Sequence, residues 1–211
     1  MAKSKIIEKE KIFDREYYDS RMHRSLFPLE ESPWLQIYNK TASFLGPELI
    51  DKKIIDLGCG TGRLARLLCN KGYKNYTGID FAPKRIEECK RYVPEYEFKC
   101  VDIFDIDVIQ TFDNYDVFII LEVLEHIEND LDILDSIPKD KIIIFSVPNY
   151  LSESHLRAFK DKKSVINRYG KYIKVLRSYT RTSKKFFHHL NYRNELDQFY
   201  TKIFVVKGVK K

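Results

Sequence analysis

Residues 54 to 63 read IIDLGCGTGR. Ile54, Ile55 and Leu57 lead into a turn with glycine at 58, 60 and 62, and LARLLCNKG (64–72) follows with leucines at helical spacing and a closing glycine. A buried strand that stops in a glycine-rich turn and then opens a helix lets backbone approach a ligand closely, with amide donors aimed at it. The first inference is a bound nucleotide or nucleoside. The spacing GxGxG differs from the dinucleotide fingerprint GxGxxG. Asp56 also stands just ahead of the glycines, where a carboxylate would oppose a pyrophosphate but suit a cationic amino-acid group. A ligand with an ammonium or sulfonium group is favoured over a nicotinamide dinucleotide.

Outward from this loop the chain alternates. YTGID (76–80), YEFKCVD (96–102), YDVFIIL (115–121) and KIIIFSV (141–147) are short β-branched or aromatic runs, each separated by a segment long enough for a helix. Such alternation predicts βαβ units and a parallel sheet. APKRIEECKRY (82–92) carries Pro83 in a first-turn position, and SPWLQIYNKTASFLG (32–46) reads as a helix between Pro33 and Gly46. FDREYYDSRMHRSLF (13–27) is a further helix candidate. KYIKVLRSY (171–179) and QFYTKIFVVKG (198–208) alternate enough to form an antiparallel pair at the sheet edge, with 180–196 as an exposed connection. Asp80 ends the second strand, where an acidic side chain can take a ribose diol, and Asp102 ends the third, where it can accept from an adenine amino group.

The 211 residues, 44% hydrophobic, suffice for one well-packed domain. The cysteines, Cys59, Cys69, Cys89 and Cys100, form no CxxC pair, so reduced thiols in a cytoplasmic protein are expected. No apolar window reaches membrane-spanning length. Lys and Arg (37) exceed Asp and Glu (31), and residues 157 to 193 are the most basic stretch. A basic surface attracts phosphates or nucleic acid, but it is equally an ordinary solvated face.

The series IIDLGCGTGR (54–63), YTGIDFAP (76–83), CVDIF (100–104), YDVFIILEVLEHI (115–127) and IIIFSVPN (142–149) resembles the class I S-adenosylmethionine-dependent methyltransferases over roughly residues 50 to 150. The resemblance implies an α/β fold: a Rossmann-like, seven-stranded, mostly parallel sheet with helices on both faces and a C-terminal antiparallel hairpin. It also implies Gly58, Gly60 and Gly62 against the methionine part of the cofactor, Asp56 and Leu121 in the same cofactor site, Asp80 on the ribose hydroxyls, Asp102 with Ile103 at the adenine, and Phe81 beside the adenosine. Residues 1–46 would be an N-terminal helical lid, with Tyr17, Tyr18 and Arg21 facing the cofactor. Residues 47–211 would be the methyltransferase domain, with a basic loop-rich region at about 150–198 that offers His155, Arg157 and Tyr169 to a substrate.

LEVLEHI (121–127) resembles two branches of that superfamily: the ubiquinone-biosynthesis O-methyltransferase-like group, and the small-RNA 3′-terminal ribose 2′-O-methyltransferases. Helical spacing would put Glu122, Glu125 and His126 on one face of a first helical turn. The resemblance to the RNA enzymes implies that Glu122, Glu125 and His126 hold a divalent ion such as Mg²⁺ or Mn²⁺, with His155 a candidate fourth ligand. Without metal, His126 or His155 would serve as general base beside Glu122. The expected function is methyl transfer to an oxygen or nitrogen of a small polar molecule, with metal-assisted RNA methylation the alternative and a non-catalytic binding domain a third. The acceptor and the oligomeric state are left open.

Overall fold

The computed structural model describes residues 6–8, 13–21, 26, 28–183 and 201–211. In chain order the elements are β1 (Ile6–Glu8), α1 (Arg15–Ser20), α2 (Leu35–Leu45), β2 (Ile54–Leu57), α3 (Arg63–Asn70), β3 (Tyr76–Asp80), α4 (Pro83–Tyr92), β4 (Glu97–Cys100), α5 (Ile106–Ile109), β5 (Val117–Leu121), α6 (Asp130–Ser136), β6 (Ile142–Pro148), β7 (Arg157–Phe159), α7 (Lys162–Tyr169), β8 (Ile173–Ser183) and β9 (Thr201–Lys210). A seven-stranded sheet runs in the order β4-β3-β2-β5-β6-β9-β8, and a small second sheet pairs β1 with β7. The first five strands are mutually parallel, whereas β9 is antiparallel to both β6 and β8. The Rossmann-like sheet with its C-terminal hairpin is therefore present.

Parallel strands covered on both faces read as near-continuous apolar runs, and β2 and β5 are of this kind. Successive side chains still point to opposite faces. Ile54, Val117, Ile119 and Ile144 pack with Ile37 and Leu45 of α2, Leu68 of α3 and Ile86 of α4. Ile55, Leu57, Phe118, Ile120 and Ile143 pack on the other face with Ile133 and Leu134 of α6 and Val165 of α7. Helices thus cover both faces, and the loops after β2, β3, β4 and β5 gather along the carboxyl edge of the parallel strands, where ligands bind in open α/β sheets.

Two expectations are corrected. In the basic stretch read as loop-rich, the described residues include β7 and α7; Asp161 and Ser164 form a reciprocal capping box that starts the helix, and Tyr169 is buried with its hydroxyl donating to Asp130 (2.7 Å). Tyr169 is therefore a core residue. The helix expected over 13–27 is described only as α1, capped by Asp14 through the Tyr17 amide; 22–25 and 27 lie outside the described residues, as does the connection 184–200.

Candidate active site

The strand ends open into a cavity of about 690 Å³. Asp56, Gly58, Gly60, Asp80, Phe81, Asp102, Ile103 and Leu121 line it. Gly62 does not. It precedes α3 at φ +75°, and a Cβ there would lie 3.2 Å from the Cys89 sulfur, so its role is helix packing. Gly58 is the strict position: at φ +82°, an added Cβ would meet Val123 Cγ2 at 2.5 Å. At Gly60 a Cβ would enter open space.

The carboxylates at the strand ends are held by the fold. Asp56 accepts a hydrogen bond from the Tyr76 hydroxyl (2.6 Å). Burial, opposed by that bond and aided by Asp80, pushes its pKa up to about 7. Asp80 accepts from the amides of Gly60 and Ala82 (both 3.0 Å), with Arg85 at 4.0 Å, and burial raises its pKa as well. Asp102 accepts from the Phe104 amide (2.9 Å) in a local turn. A cavity walled by desolvated carboxylates is poised for a cationic ligand, since a positive charge alongside restores their ionised form.

The other end of the cavity is built by LEVLEHI, and here the helical expectation is corrected. Glu122 sits at φ +53°, in the left-handed region that side chains rarely adopt, and the next helix, α6, begins only at Asp130. Between them His126 N–H closes a tight turn on Val123 O (2.8 Å). Carbonyls that a helix would use are bonded elsewhere. Arg157 donates to those of Leu124 (2.6 Å), Ile127 (2.5 Å) and Glu128 (3.0 Å), and Leu156 N–H donates to that of Glu125 (2.7 Å). Arg157, expected to face a substrate, instead has a buried side chain and does not line the cavity.

Ser146, on β6 opposite Leu121, holds Glu122 by two hydrogen bonds: its Oγ accepts from the Glu122 amide (3.0 Å) and donates to the Glu122 carboxylate (2.7 Å). Burial pushes the Glu122 pKa up to about 7. The donor atoms that converge are those of Glu125, His126 and His155, all within 4.8 Å of one another. Glu122 is not in that group. Glu125 is fully buried, neither of its oxygens has a hydrogen-bond partner, and burial with the nearby Glu122 pushes its pKa well up. His126 Nδ1 lies 2.8 Å from the Ser154 carbonyl and His155 Nδ1 lies 2.9 Å from that of Tyr150. A carbonyl only accepts, so both rings carry their proton on Nδ1 and, when neutral, present Nε2 as a lone pair. His126 Nε2 stands 3.8 Å from Glu125 Oε1. Burial lowers the His126 pKa to about 4, so the ring is neutral at ordinary pH.

Sequence reasoning missed the remaining wall. Trp34, Ile37 and Tyr38 of the α2 region line the cavity at helical spacing, a periodicity visible in SPWLQIYNK, as does Tyr150 after β6. Helix α1 lines the cavity through Tyr17 and Tyr18. Tyr18 meets Phe81 (ring centroids 5.4 Å) and His126 (6.0 Å) edge-on, Arg85 lies over its ring, Asp19 accepts from the Lys84 amide (3.2 Å), and Arg21 pairs with Glu153 (2.9 Å).

The family model described as a methyltransferase domain matches residues 55–139. A ubiquinone biosynthesis O-methyltransferase of Rickettsia bellii is 32% identical over 114 residues, covering 52% of this chain and 47% of its own. The chain spans about half the length of the curated relatives it matches. Among solved structures, magnesium protoporphyrin IX methyltransferase from Synechocystis, with bound S-adenosylmethionine, superposes with a TM-score of 0.63 at 16% identity, covering 96% of this chain and 100% of the other. The [4+2]-cyclase SpnF superposes at 0.69 and 10%, covering 97% and 98%, so the shared fold alone does not fix a chemistry. Residues 55–139 thus match a methyltransferase domain, and over about half its length the chain is similar to the ubiquinone biosynthesis O-methyltransferases.

Proposed function

We propose that the protein transfers a methyl group from S-adenosylmethionine to a hydroxyl oxygen of a small polar molecule. The observation that carries this is the continuity of one cavity, from the carboxylates Asp56 and Asp80 at one end to His126 and His155 at the other. The first end suits the ammonium and ribose of the cofactor; the second suits an acceptor that must lose a proton. Bound S-adenosylmethionine supplies an electrophilic methyl group on a sulfonium. The residues do the rest. Glycine backbone and Asp80 orient the cofactor, α1 excludes water from above it, and His126 takes the acceptor proton at Nε2 while Ser154 retains the Nδ1 proton. With its pKa near 4, His126 is a weak resting base. The Ser154 carbonyl bound at Nδ1 is the group that opposes that lowering.

A specific observation favours a metal-assisted form of the same reaction. A fully buried carboxylate whose two oxygens have no hydrogen-bond partner, beside two imidazoles each oriented by a backbone carbonyl, is the donor chemistry of a divalent-ion site. Glu125, His126 and His155 would hold the ion, and two imidazoles in the set favour Mn²⁺ over Mg²⁺. Bound there, it would lower the pKa of an acceptor hydroxyl. RNA as acceptor has less support, because Arg157 and Arg168 of the basic stretch are spent on internal carbonyls and on Asp130.

The test is transfer of labelled methyl from S-adenosylmethionine to a panel of small phenols and alcohols, with and without chelation. Transfer that His126→Gln abolishes supports the reading, and chelator sensitivity restored by Mn²⁺ supports the metal form. Transfer undiminished in His126→Gln refutes the assigned acceptor site.

A further inference from the structure

The turn that presents Glu125 and His126 is closed by His126 N–H on Val123 O, and three of its other carbonyls are held by one side chain. We propose that Arg157 is a positioning residue: by binding the carbonyls of Leu124, Ile127 and Glu128 together, its guanidinium fixes where Glu125 and His126 stand relative to His155. The inference rests on reading those three residues as the acceptor site.

Several features make the arrangement more than a packed cation. The Arg157 side chain is 5% exposed, so its hydrogen bonds run through a desolvated interior where few alternatives exist. Its direction is set from behind. Asp130, itself buried, lies 3.4 Å from Nη1 and is locked by Nε and Nη2 of Arg168 (2.8 and 2.7 Å) and the Tyr169 hydroxyl. Glu8 of β1 lies 3.8 Å from Nε, and β1 pairs with β7 so that Glu8 is opposite Arg157. The backbone just before the guanidinium acts on the same turn, because Leu156 N–H binds Glu125 O and the preceding residue is His155. A displacement of Arg157 therefore moves both halves of the site. A lysine keeps the charge but presents a point cation in place of the planar fork that spans three carbonyls.

The experiment compares Arg157→Lys with Arg168→Lys, which loses contacts to the same Asp130 but touches no carbonyl of the turn. Binding of S-adenosylhomocysteine is read by calorimetry and the His126 imidazole by ¹⁵N NMR. The expected result for Arg157→Lys is affinity within about threefold of the parent, because Asp56 and Asp80 stand on other strands, with the single Nδ1–H tautomer of His126 replaced by an exchanging mixture. Arg168→Lys should lower the melting temperature and leave the His126 spectrum as it is. An unchanged His126 spectrum in Arg157→Lys, or the same spectral change in both variants, overturns the proposal. If Arg157→Lys does not fold, the parent decides: separately resolved, slowly exchanging Arg157 guanidinium protons support a fixed clamp, and averaged signals overturn it. Failure of the acceptor-site reading is seen elsewhere, as full methyl transfer by His126→Gln, and leaves these spectra unaffected.

Discussion

Replacing Asp56 by asparagine should make the ligand-free protein more stable and a poorer binder. The folded chain holds this carboxyl at a pKa of about 7 against 3.8 for the free group. Folding therefore takes up a proton between those values, so the contribution of Asp56 to stability falls as pH rises from 3.8 to about 7 and is constant above. At about 1.4 kcal/mol per unit, the ceiling on that cost is roughly 4 kcal/mol at pH 8. Asp56 lines the cavity, where water relieves part of it, so a gain of roughly 1–2 kcal/mol is expected on removing the charge. Asparagine can still accept from Tyr76. For a chain of this length the gain corresponds to a melting temperature higher by about 2–8 °C. At pH 5 it should shrink to roughly a third, since the parent has by then become protonated. Loss of a charge-assisted bond to the ligand ammonium, about 1.5–3 kcal/mol, should weaken S-adenosylhomocysteine binding at least tenfold. Thermal melts at pH 8 and pH 5, with calorimetry at pH 8, decide the matter. A lower melting temperature at pH 8 would refute the buried-charge reasoning, and parental affinity would refute Asp56 as the partner of the ammonium.

The parent's own affinity for S-adenosylhomocysteine should fall about tenfold per pH unit below pH 7, as proton binding to Asp56 competes with the ligand, and calorimetry from pH 5 to 8 should flatten in Asp56→Asn. Gly58→Ala places a methyl 2.5 Å from Val123 in a left-handed backbone, so circular dichroism melts should show a loss of roughly 1–3 kcal/mol together with loss of cofactor binding. Tyr18→Ala removes two edge-on ring contacts worth about 0.5–1.5 kcal/mol each, and stopped-flow should show S-adenosylhomocysteine leaving up to roughly tenfold faster. Saturating Mn²⁺ at about a hundred times its dissociation constant should stabilise the parent by roughly 2.7 kcal/mol in thermal melts, and Glu125→Gln should remove that gain.

The sheet was legible because buried parallel strands announce themselves as apolar runs, and because glycine at 58 answers a backbone demand that no other residue meets. Aspartates at successive strand ends were legible for the same reason: their positions follow from strand length alone. LEVLEHI was not. Its spacing is that of a helix, but Glu122 takes a left-handed backbone and an arginine far along the chain binds three of the turn's carbonyls. Of the expected ligands, Glu125, His126 and His155 converge, whereas the Glu122 carboxylate accepts from Ser146 on a neighbouring strand. β7 and α7 were hidden in a basic stretch with few apolar residues, of which Ala158, Phe159, Val165 and Tyr169 face inward while Ile166 stays exposed.

The placement of β9 between β6 and β8 has a consequence for how the chain is made. An interior strand of the sheet is synthesised after the edge strand it supports, so a ribosome-bound chain that has completed β8 still exposes the unpaired, apolar edge of β6. Until residues 201 to 210 emerge, that edge can recruit strands from other nascent chains. Aggregation during synthesis is thus the hazard that this topology brings, and slower translation of the codons for residues 184 to 210 would lengthen the exposure.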